Sequence, residues 1–365
     1  MKAIITCGGT GGHITPALAI ADIIKENDPH ARLLFIGGMR GMEGELVRQA
    51  GYDIRLLEVQ GISRKLTPAN LKALFQAGLA VRKAQEILKE FSPDIVIGTG
   101  GYACYPTLRA AIGLGIPSAV HESNAAPGLA VRVLSARLDR VWLNFESESM
   151  RLPKGAKALT VGNPLPREYA APEPIERLAE TQFLLSFGGS LGASAMNRAI
   201  LDLMETERKK KDIFHLHATG NKGFEETHKC FRERGLGACT HLSLVPYISQ
   251  MPRYMAAADL VICRAGAMSV SELAALGKPA VLIPSPNVTG NHQYENAHAL
   301  AQKGAAVLLE EKRIAELTSL IPALLADKER LLQMSGAICA FYRADANARI
   351  WRDIVALSKK EKSGR

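Results

Sequence analysis

Residues 1–16 read MKAIITCGGTGGHITP, and the order of residue types there decides the fold. Lys2 to Cys7 is a short apolar, partly β-branched run, the pattern of a buried strand. Thr15-Pro16 reads as an N-cap followed by proline at the first helical position. Beyond it Leu18, Ile20, Ala21 and Ile24 recur as on a helix packed against a sheet. Gly8 to His13 therefore form a strand-to-helix turn. Such a turn can present backbone N–H groups and a helix N-terminus to a ligand, often a phosphate. The alternative is a tight connection in which glycine serves only the path of the chain.

The turn is not a dinucleotide fingerprint. Counted from Gly9, the third glycine of Gly-x-Gly-x-x-Gly would fall on Ile14. The next strand-like run, Arg32 to Gly38, ends in two glycines where an acidic residue would hold a ribose. The lysine of a phosphate-binding P-loop is missing as well.

A chain of 365 residues with 47% hydrophobic residues fits two α/β domains with full cores. Its apolar runs are interrupted within about ten residues, too short to span a bilayer. The first residues lack the long apolar stretch of a secretory signal. Cys7, Cys104, Cys230, Cys239, Cys263 and Cys339 show neither pairing nor metal spacing, as in a reducing cytoplasm. The net charge of +9 is spread along the chain, without a basic tail or aromatic–basic interleaving. It suits a phosphorylated substrate or an anionic membrane surface better than nucleic acid.

Strand-like runs alternate with helical patterns: Ile4-Ile5, Leu33–Ile36, Ile95–Ile97 and Ser118–Val120, then Phe183–Phe187, Phe214–His217, Leu260–Cys263 and Ala280–Ile283. This alternation predicts an α/β protein of two doubly wound parallel sheets. The opening theme returns in QFLLSFGGSLGASAMN (182–197), IVIGTGGY (95–102) and VICRAGAMSVSE (261–272). VGNPLPRE (161–168) breaks regular structure and reads as the boundary, followed by the linker-like APEPIE. Domains of 1–162 and 163–340 result, with a last helix within 341–365 crossing back onto the first. A ligand is expected outside the carboxyl ends of the strands, where the glycine turns sit.

Six segments carry a resemblance. CGGTGGHITPALAIA (7–21), IGTGGYACYP (97–106), HESNAAPGL (121–129), VGNP (161–164), FGGSLGASAMN (187–197) and CRAGAMSVSELAALGKPAVLIPSP (263–286) resemble, in order and spacing, the MurG family of peptidoglycan glycosyltransferases. The resemblance implies a GT-B fold, two Rossmann-like domains with a cleft between them. It implies inverting transfer of N-acetylglucosamine from UDP-N-acetylglucosamine to undecaprenyl-diphosphate-linked N-acetylmuramyl-pentapeptide, lipid I becoming lipid II. The first domain would take the acceptor and the membrane, the second the donor. No cofactor is implied. The setting would be cytoplasmic, peripheral on the inner face of the bacterial plasma membrane. No motif identifies a protein partner from the cell-wall or division machinery.

The residues agree with that chemistry. A leaving diphosphate needs its charge offset, and the chain contains no Asp-x-Asp for a metal. Helix N-termini and glycine-loop amides can offset it instead, so no metal site is expected. Ser190, at a helix start, can reach a phosphate or act as an ordinary N-cap. Glu272, placed in the first turn of a helix opened by Ala267, Met268, Ser269, Val270 and Ser271, can accept from ribose hydroxyls or close a capping box with Ser269. The resemblance assigns residues 267–272 to the nucleoside, the Ile248 backbone to uracil and Gln293 to the sugar hydroxyls. His292 stands where relatives often have glutamine. Thr10, Gly11 and Gly12 would approach the donor diphosphate or sugar, and Asn124 the sugar, although asparagine before Ala-Ala-Pro-Gly is also a common turn residue. Arg167 lies one residue later than the family's arginine after Asn-Pro, and would reach the diphosphate.

A sugar hydroxyl attacking an anomeric carbon needs a proton acceptor, and histidine titrates near neutrality. His13 is the candidate base, with a turn residue as the alternative, and Glu122 is the reserve. In NLKALFQAGLAVRKAQEILKE (70–90), helical spacing puts Ala73, Ala77, Ala80, Val81, Ala84 and Leu88 on a packing face. Leu71, Phe75 and Leu79 lie on another, beside Lys72, Arg82 and Lys83, as in an interfacial docking surface. The loop Ile112–Leu114 would extend it, and the alternative is a helix buried on two sides. Rival functions are another GT-B enzyme using UDP-N-acetylglucosamine, a non-catalytic nucleotide-sugar sensor and a nicotinamide oxidoreductase.

Overall fold

The computed structural model describes residues 1–9, 11–59, 68–176, 181–189, 193–288 and 291–359, the side chains of 68–77 excepted. The chain divides into two compact units, 1–165 with 343–365, and 166–342.

In the first unit seven strands, β1 (Lys2–Thr6), β2 (Arg32–Gly38), β3 (Ile54–Leu57), β4 (Ile95–Gly98), β5 (Ser118–Glu122), β6 (Arg140–Leu143) and β7 (Ala158–Thr160), form one sheet in the order β3-β2-β1-β4-β5-β6-β7. Every pairing is parallel. Successive side chains of a strand point to opposite faces, and β1 shows it. Ala3 and Ile5 enter one core with α1 (Gly11–Asn27) and α2 (Glu43–Gln49). Ile4 enters the other with α3 (Pro68–Phe91), α4 (Cys104–Gly113) and α5 (Leu129–Leu134). Helices on both faces bury the sheet twice, which is why these strands read as nearly continuous apolar runs.

Helix α1 starts at Gly11, not after Thr15. Pro16 lies inside it and is buried. Near a helix start proline forgoes one backbone bond, and its fixed φ is helical. The connection from β1 therefore shrinks to residues 7–10, and His13 stands in the first turn of the helix. On α3, Ala80, Ala84 and Leu88 are buried and Val81 packs on the same core, so the predicted packing face holds over its described part. Ile112 and Leu114 also pack, half-buried, against this core.

The second unit carries β8 (Gln182–Phe187), β9 (Ile213–Ala218), β10 (Leu242–Val245), β11 (Leu260–Cys263), β12 (Ala280–Leu282) and β13 (Val307–Leu308), again all parallel, in the order β10-β9-β8-β11-β12-β13. Its helices are α6 (Ser194–Glu207), α7 (Phe224–Glu233), α8 (Met251–Ala257), α9 (Ala267–Ala275), α10 (His292–Ala301), α11 (Leu317–Ala326) and α12 (Lys328–Cys339). A last helix, α13 (Ala346–Ser358), belongs to the first unit and packs beside α1. Asp353 fixes it: Arg140 donates through Nε at 2.8 Å and Nη2 at 3.0 Å, and Trp142 Nε1 donates at 2.7 Å.

The boundary segment is not an exposed linker in its first half. Val161, Asn163 and Leu165 are buried. His121 Nε2 donates to the Gly162 carbonyl at 2.9 Å, and Asn347 Nδ2 to that of Leu165 at 3.3 Å. Burial pushes the His121 imidazole down to about 4, so it remains a neutral donor there.

Candidate active site

His13 is built into place by two glycine turns. Its Nδ1 lies 3.0 Å from the Thr99 carbonyl, and Thr99 Oγ1 donates to the His13 carbonyl at 2.7 Å. A carbonyl can only accept, so Nδ1 carries the hydrogen and Nε2 keeps its lone pair. Burial lowers the pKa of this half-buried ring, opposed by its bond to Thr99 and by the Glu43 charge. The imidazole is thus held neutral, in the tautomer a general base requires.

The turn after β4 makes this possible through its glycines. A side chain at Gly100 (φ +109°) would come within 2.3 Å of His13 Nδ1. One at Gly101 (φ +88°) would come within 2.1 Å of the Gly8 carbonyl. IGTGGY thus makes room for the first turn and its histidine. Glu43 supports the same turn from the other side. It is 2% exposed and accepts from the amides of Gly9 at 3.1 Å and Gly38 at 2.7 Å. Sequence reasoning missed Thr99 and Glu43. The repeated glycine turn at 95–102 was the signal for Thr99; a glutamate opening a short helix gave none for Glu43.

Glu122, the reserve base, is engaged elsewhere. It is 4% exposed, and its oxygens accept from Asn124 N (3.1 Å), Asn124 Nδ2 (3.0 Å) and Gly128 N (2.7 Å). This carboxylate organises the HESNAAPG loop, and Asn124 serves that turn. Gly11 and Gly12 occupy the first turn of α1, Gly12 exposed. Thr10 and Ser190 lie outside the described residues, as do the side chains of Leu71 and Phe75. Leu79 is exposed, as are Arg82 and Lys83.

In the second unit a pocket of about 410 Å³ opens at the carboxyl ends of β8, β11 and β12. It is lined by Gly188, Ala193, Ser194 and Ala195 around the start of α6, by Arg264 after β11, by Ser285 and Asn287 after β12, and by Gln293 and Glu311. Gln293 Oε1 accepts from Ser285 N at 2.8 Å. Arg264 donates to the carbonyls of Ile283 and Pro284, each at 3.2 Å, and pairs with Glu311. Sequence reasoning missed this arginine, although it sits inside the CRAG turn.

Helix α9 begins at Ala267 after Gly266, which provides no side-chain cap. Glu272 therefore falls beyond the first turn, and Ser269 sits too far inside to form a capping box. Ala267, Met268, Val270 and Ser271 are buried. Burial pushes the half-buried Glu272 carboxyl up to about 7, and a hydrogen bond from the Tyr169 hydroxyl opposes it. Ile248 is buried in the loop after β10. Arg167 is exposed in the 3-10 turn Arg167–Tyr169 that also carries Tyr169. Gln293 lines the pocket; Ile248, Arg167 and residues 267–272 do not.

Two parallel-sheet units, with a histidine held at a glycine turn in one and a polar pocket at strand ends in the other, have the layout of the GT-B class, and the matched families make the chain a two-domain glycosyltransferase of that class. Residues 3–143 match the glycosyltransferase family 28 N-terminal domain and 183–350 the glycosyltransferase family 28 C-terminal domain. The chain is 38% identical over its whole length to the UDP-N-acetylglucosamine–N-acetylmuramyl-(pentapeptide) pyrophosphoryl-undecaprenol N-acetylglucosamine transferase of Acetivibrio thermocellus, all of which is covered. It is 36% identical, over 98% of its length and 100% of the relative's, to the enzyme of the same name from Alkaliphilus metalliredigens. The crystal structure of Acinetobacter baumannii MurG superimposes with a TM-score of 0.79 at 28% identity, covering 97% of this chain and 99% of that one. The chain belongs to the family of these N-acetylglucosamine transferases, the MurG family.

Proposed function

We propose that the chain transfers N-acetylglucosamine from UDP-N-acetylglucosamine to undecaprenyl-diphosphate-linked N-acetylmuramyl-pentapeptide, converting lipid I to lipid II with inversion. The observation that carries the chemistry is the Thr99 carbonyl fixing His13 with Nε2 unprotonated. His13 Nε2 takes the proton of the acceptor hydroxyl as its oxygen attacks the anomeric carbon, and UDP leaves with the electrons of the broken bond. The first unit serves the acceptor, the second the donor. The second-unit pocket receives the donor's phosphate and sugar: the start of α6 supplies backbone N–H groups and positive dipole to the diphosphate, and Gln293 meets sugar hydroxyls. Charge is offset in this way without a metal. Ile248 meets the uracil, and Glu272 accepts from the ribose.

Glu272→Gln keeps the shape of the side chain and removes the charge the carboxyl carries above its raised pKa of about 7, so the comparison is made on that alkaline side. The expected result is donor binding weaker by about 1.5–3 kcal/mol, the worth of a hydrogen bond to a charged group. Calorimetric titration with UDP-N-acetylglucosamine measures it, and an affinity equal to that of the unsubstituted protein would refute the ribose contact.

An acceptor with a polyprenyl chain stays in its bilayer, so the enzyme comes to the membrane. We place docking on α3, where exposed Leu79 lies beside Arg82 and Lys83, a peripheral attachment at the inner face of the plasma membrane. No described helix is long and apolar enough to cross a membrane. Leu79→Asp combined with Arg82→Glu is expected to lower sedimentation with anionic vesicles and activity on the full-length lipid, while sparing turnover of a short-chain, water-soluble acceptor. Unchanged sedimentation would move the docking surface elsewhere.

A further inference from the structure

Beneath α6 runs a chain of buried polar contacts that the transfer chemistry does not use. Glu207 Oε2 lies 2.7 Å from His215 Nδ1, and His215 Nε2 lies 2.8 Å from Ser186 Oγ. Ser186 Oγ lies 2.8 Å from His217 Nδ1, and His217 Nε2 lies 3.1 Å from Asn197 Oδ1. Ser186, His215 and His217 are 0% exposed, Glu207 1% and Asn197 2%. A carboxylate, an imidazole and a serine hydroxyl in a row resemble a hydrolytic triad. Here the hydroxyl is sealed between β8 and β9 and meets no substrate.

Counting hydrogens shows what the row holds. Each of its four contacts needs one hydrogen. Two neutral imidazoles supply two and the serine hydroxyl a third. Asn197 supplies none, because its Nδ2 is turned away, donating to the Thr219 carbonyl at 3.1 Å and toward Thr227 Oγ1 at 3.3 Å. With a hydrogen in each of the four contacts, either orientation of the Ser186 hydroxyl gives the same total; the Ser186 carbonyl, 3.1 Å from His217 Nδ1, accepts a hydrogen only when the hydroxyl turns to His215. A fourth hydrogen is required, and it brings the net charge of the row, carboxylate included, to zero. Electroneutrality is what a dry interior demands of a buried acid. Hydrogen count and charge thus agree independently.

We propose that Glu207, His215, Ser186, His217 and Asn197 form a one-proton relay that positions α6 for the donor. Its function in transfer rests on the donor pocket assigned above. Glu207 is the last residue of α6 and Asn197 stands in its first turn, so the relay staples both ends of the helix to β8 and β9. Ser194 and Ala195, at the pocket wall, are fixed by that staple. Burial pushes the His217 ring down to about 3 and so opposes a second hydrogen on it. These five are positioning residues; none is assigned to touch substrate.

Long-range proton–nitrogen correlation on the nitrogen-15-labelled full chain reads the hydrogens directly. Three hydrogens on or shared by the ring nitrogens of His215 and His217 are expected, one at low field from the Glu207–His215 contact. Two ordinary neutral rings with one hydrogen each would overturn the count. Ser186→Ala is expected to raise KM for UDP-N-acetylglucosamine about ten-fold while kcat falls far less, the pattern of lost positioning of the donor. Ser186→Thr, which keeps the hydroxyl, should restore it. A KM within two-fold of the original in Ser186→Ala would overturn the positioning role. If Ser186→Ala does not fold, Asn197→Ser, which cuts the last contact together with the Nδ2 bonds to Thr219 and Thr227, carries the same test against Thr227→Val, which of these cuts only the bond to Thr227. Failure of the unsubstituted chain to bind UDP-N-acetylglucosamine would instead refute the donor pocket, and the hydrogen count would stand or fall separately.

Discussion

Replacing His13 by alanine is expected to lower kcat roughly 10²–10⁴-fold, the scale on which a general base acts. Binding of UDP-N-acetylglucosamine should change far less. The reason lies in the ring's surroundings. The Thr99 carbonyl holds the hydrogen on Nδ1, so Nε2 is always the acceptor. Burial lowers the pKa of His13 from its ordinary value near 6.5. Neutral imidazole is the active form, so activity is full above that value and lost as pH falls through the lowered pKa. The acid limb of kcat/KM should therefore lie below 6.5, and the limb should vanish in His13→Ala. A kcat within a few-fold of the original under saturating substrates would make His13 a structural turn residue. Because Glu122 is engaged by three loop donors, it would not take over the role unaltered.

The second large effect is on stability. Asp353→Ala removes the acceptor for the Arg140 guanidinium and for Trp142 Nε1. The Asp353 side chain is only 11% exposed and that of Arg140 30%, while Trp142 is fully buried. Arg140 can recover some hydration, but the indole N–H cannot. A loss of about 2–4 kcal/mol follows, between the cost of one orphaned donor and that of a broken buried ion pair. In a domain of this size the melting temperature should drop by roughly 5–15 °C. Scanning calorimetry measures it. A shift under about 2 °C would mean that α13 is held by apolar packing of Ile350, Ile354 and Leu357 alone.

Strands of the sheet centres could be read directly. Ile4-Ile5, Leu33–Ile36, Ile95–Ile97, Phe183–Phe187 and Leu260–Cys263 lie where continuous apolar runs put them, because parallel strands covered on both faces have no polar side to interrupt the pattern. β3, β6, β7, β10 and β13 were not read. They are short, mostly lie toward the sheet margins, and mix apolar with polar residues, as in Ile54–Leu57 with Arg55 and Arg140–Leu143 with its arginine. The start of α1 was misplaced for a related reason: proline marks a helix start in local statistics, whereas here the helix tolerates Pro16 inside it.

The sequence by itself determined that this is a two-sheet α/β protein with glycine turns at strand ends, that His13 follows one such turn, and that the motifs at 7–21 and 263–286 belong to one family of sugar transferases. Those conclusions rest on local order and spacing, which a linear chain records. Only the tertiary structure decided the tautomer of His13, because the Thr99 carbonyl that sets it is 86 residues away. Only it tied Glu122 to its own loop, brought Arg264 and Gln293 to one pocket, and set Glu207, His215, Ser186 and His217 in one row. Hydrogen bonding and burial act across distances in space that residue order does not encode. A proton's position is therefore settled after folding, by whichever acceptor the fold places opposite.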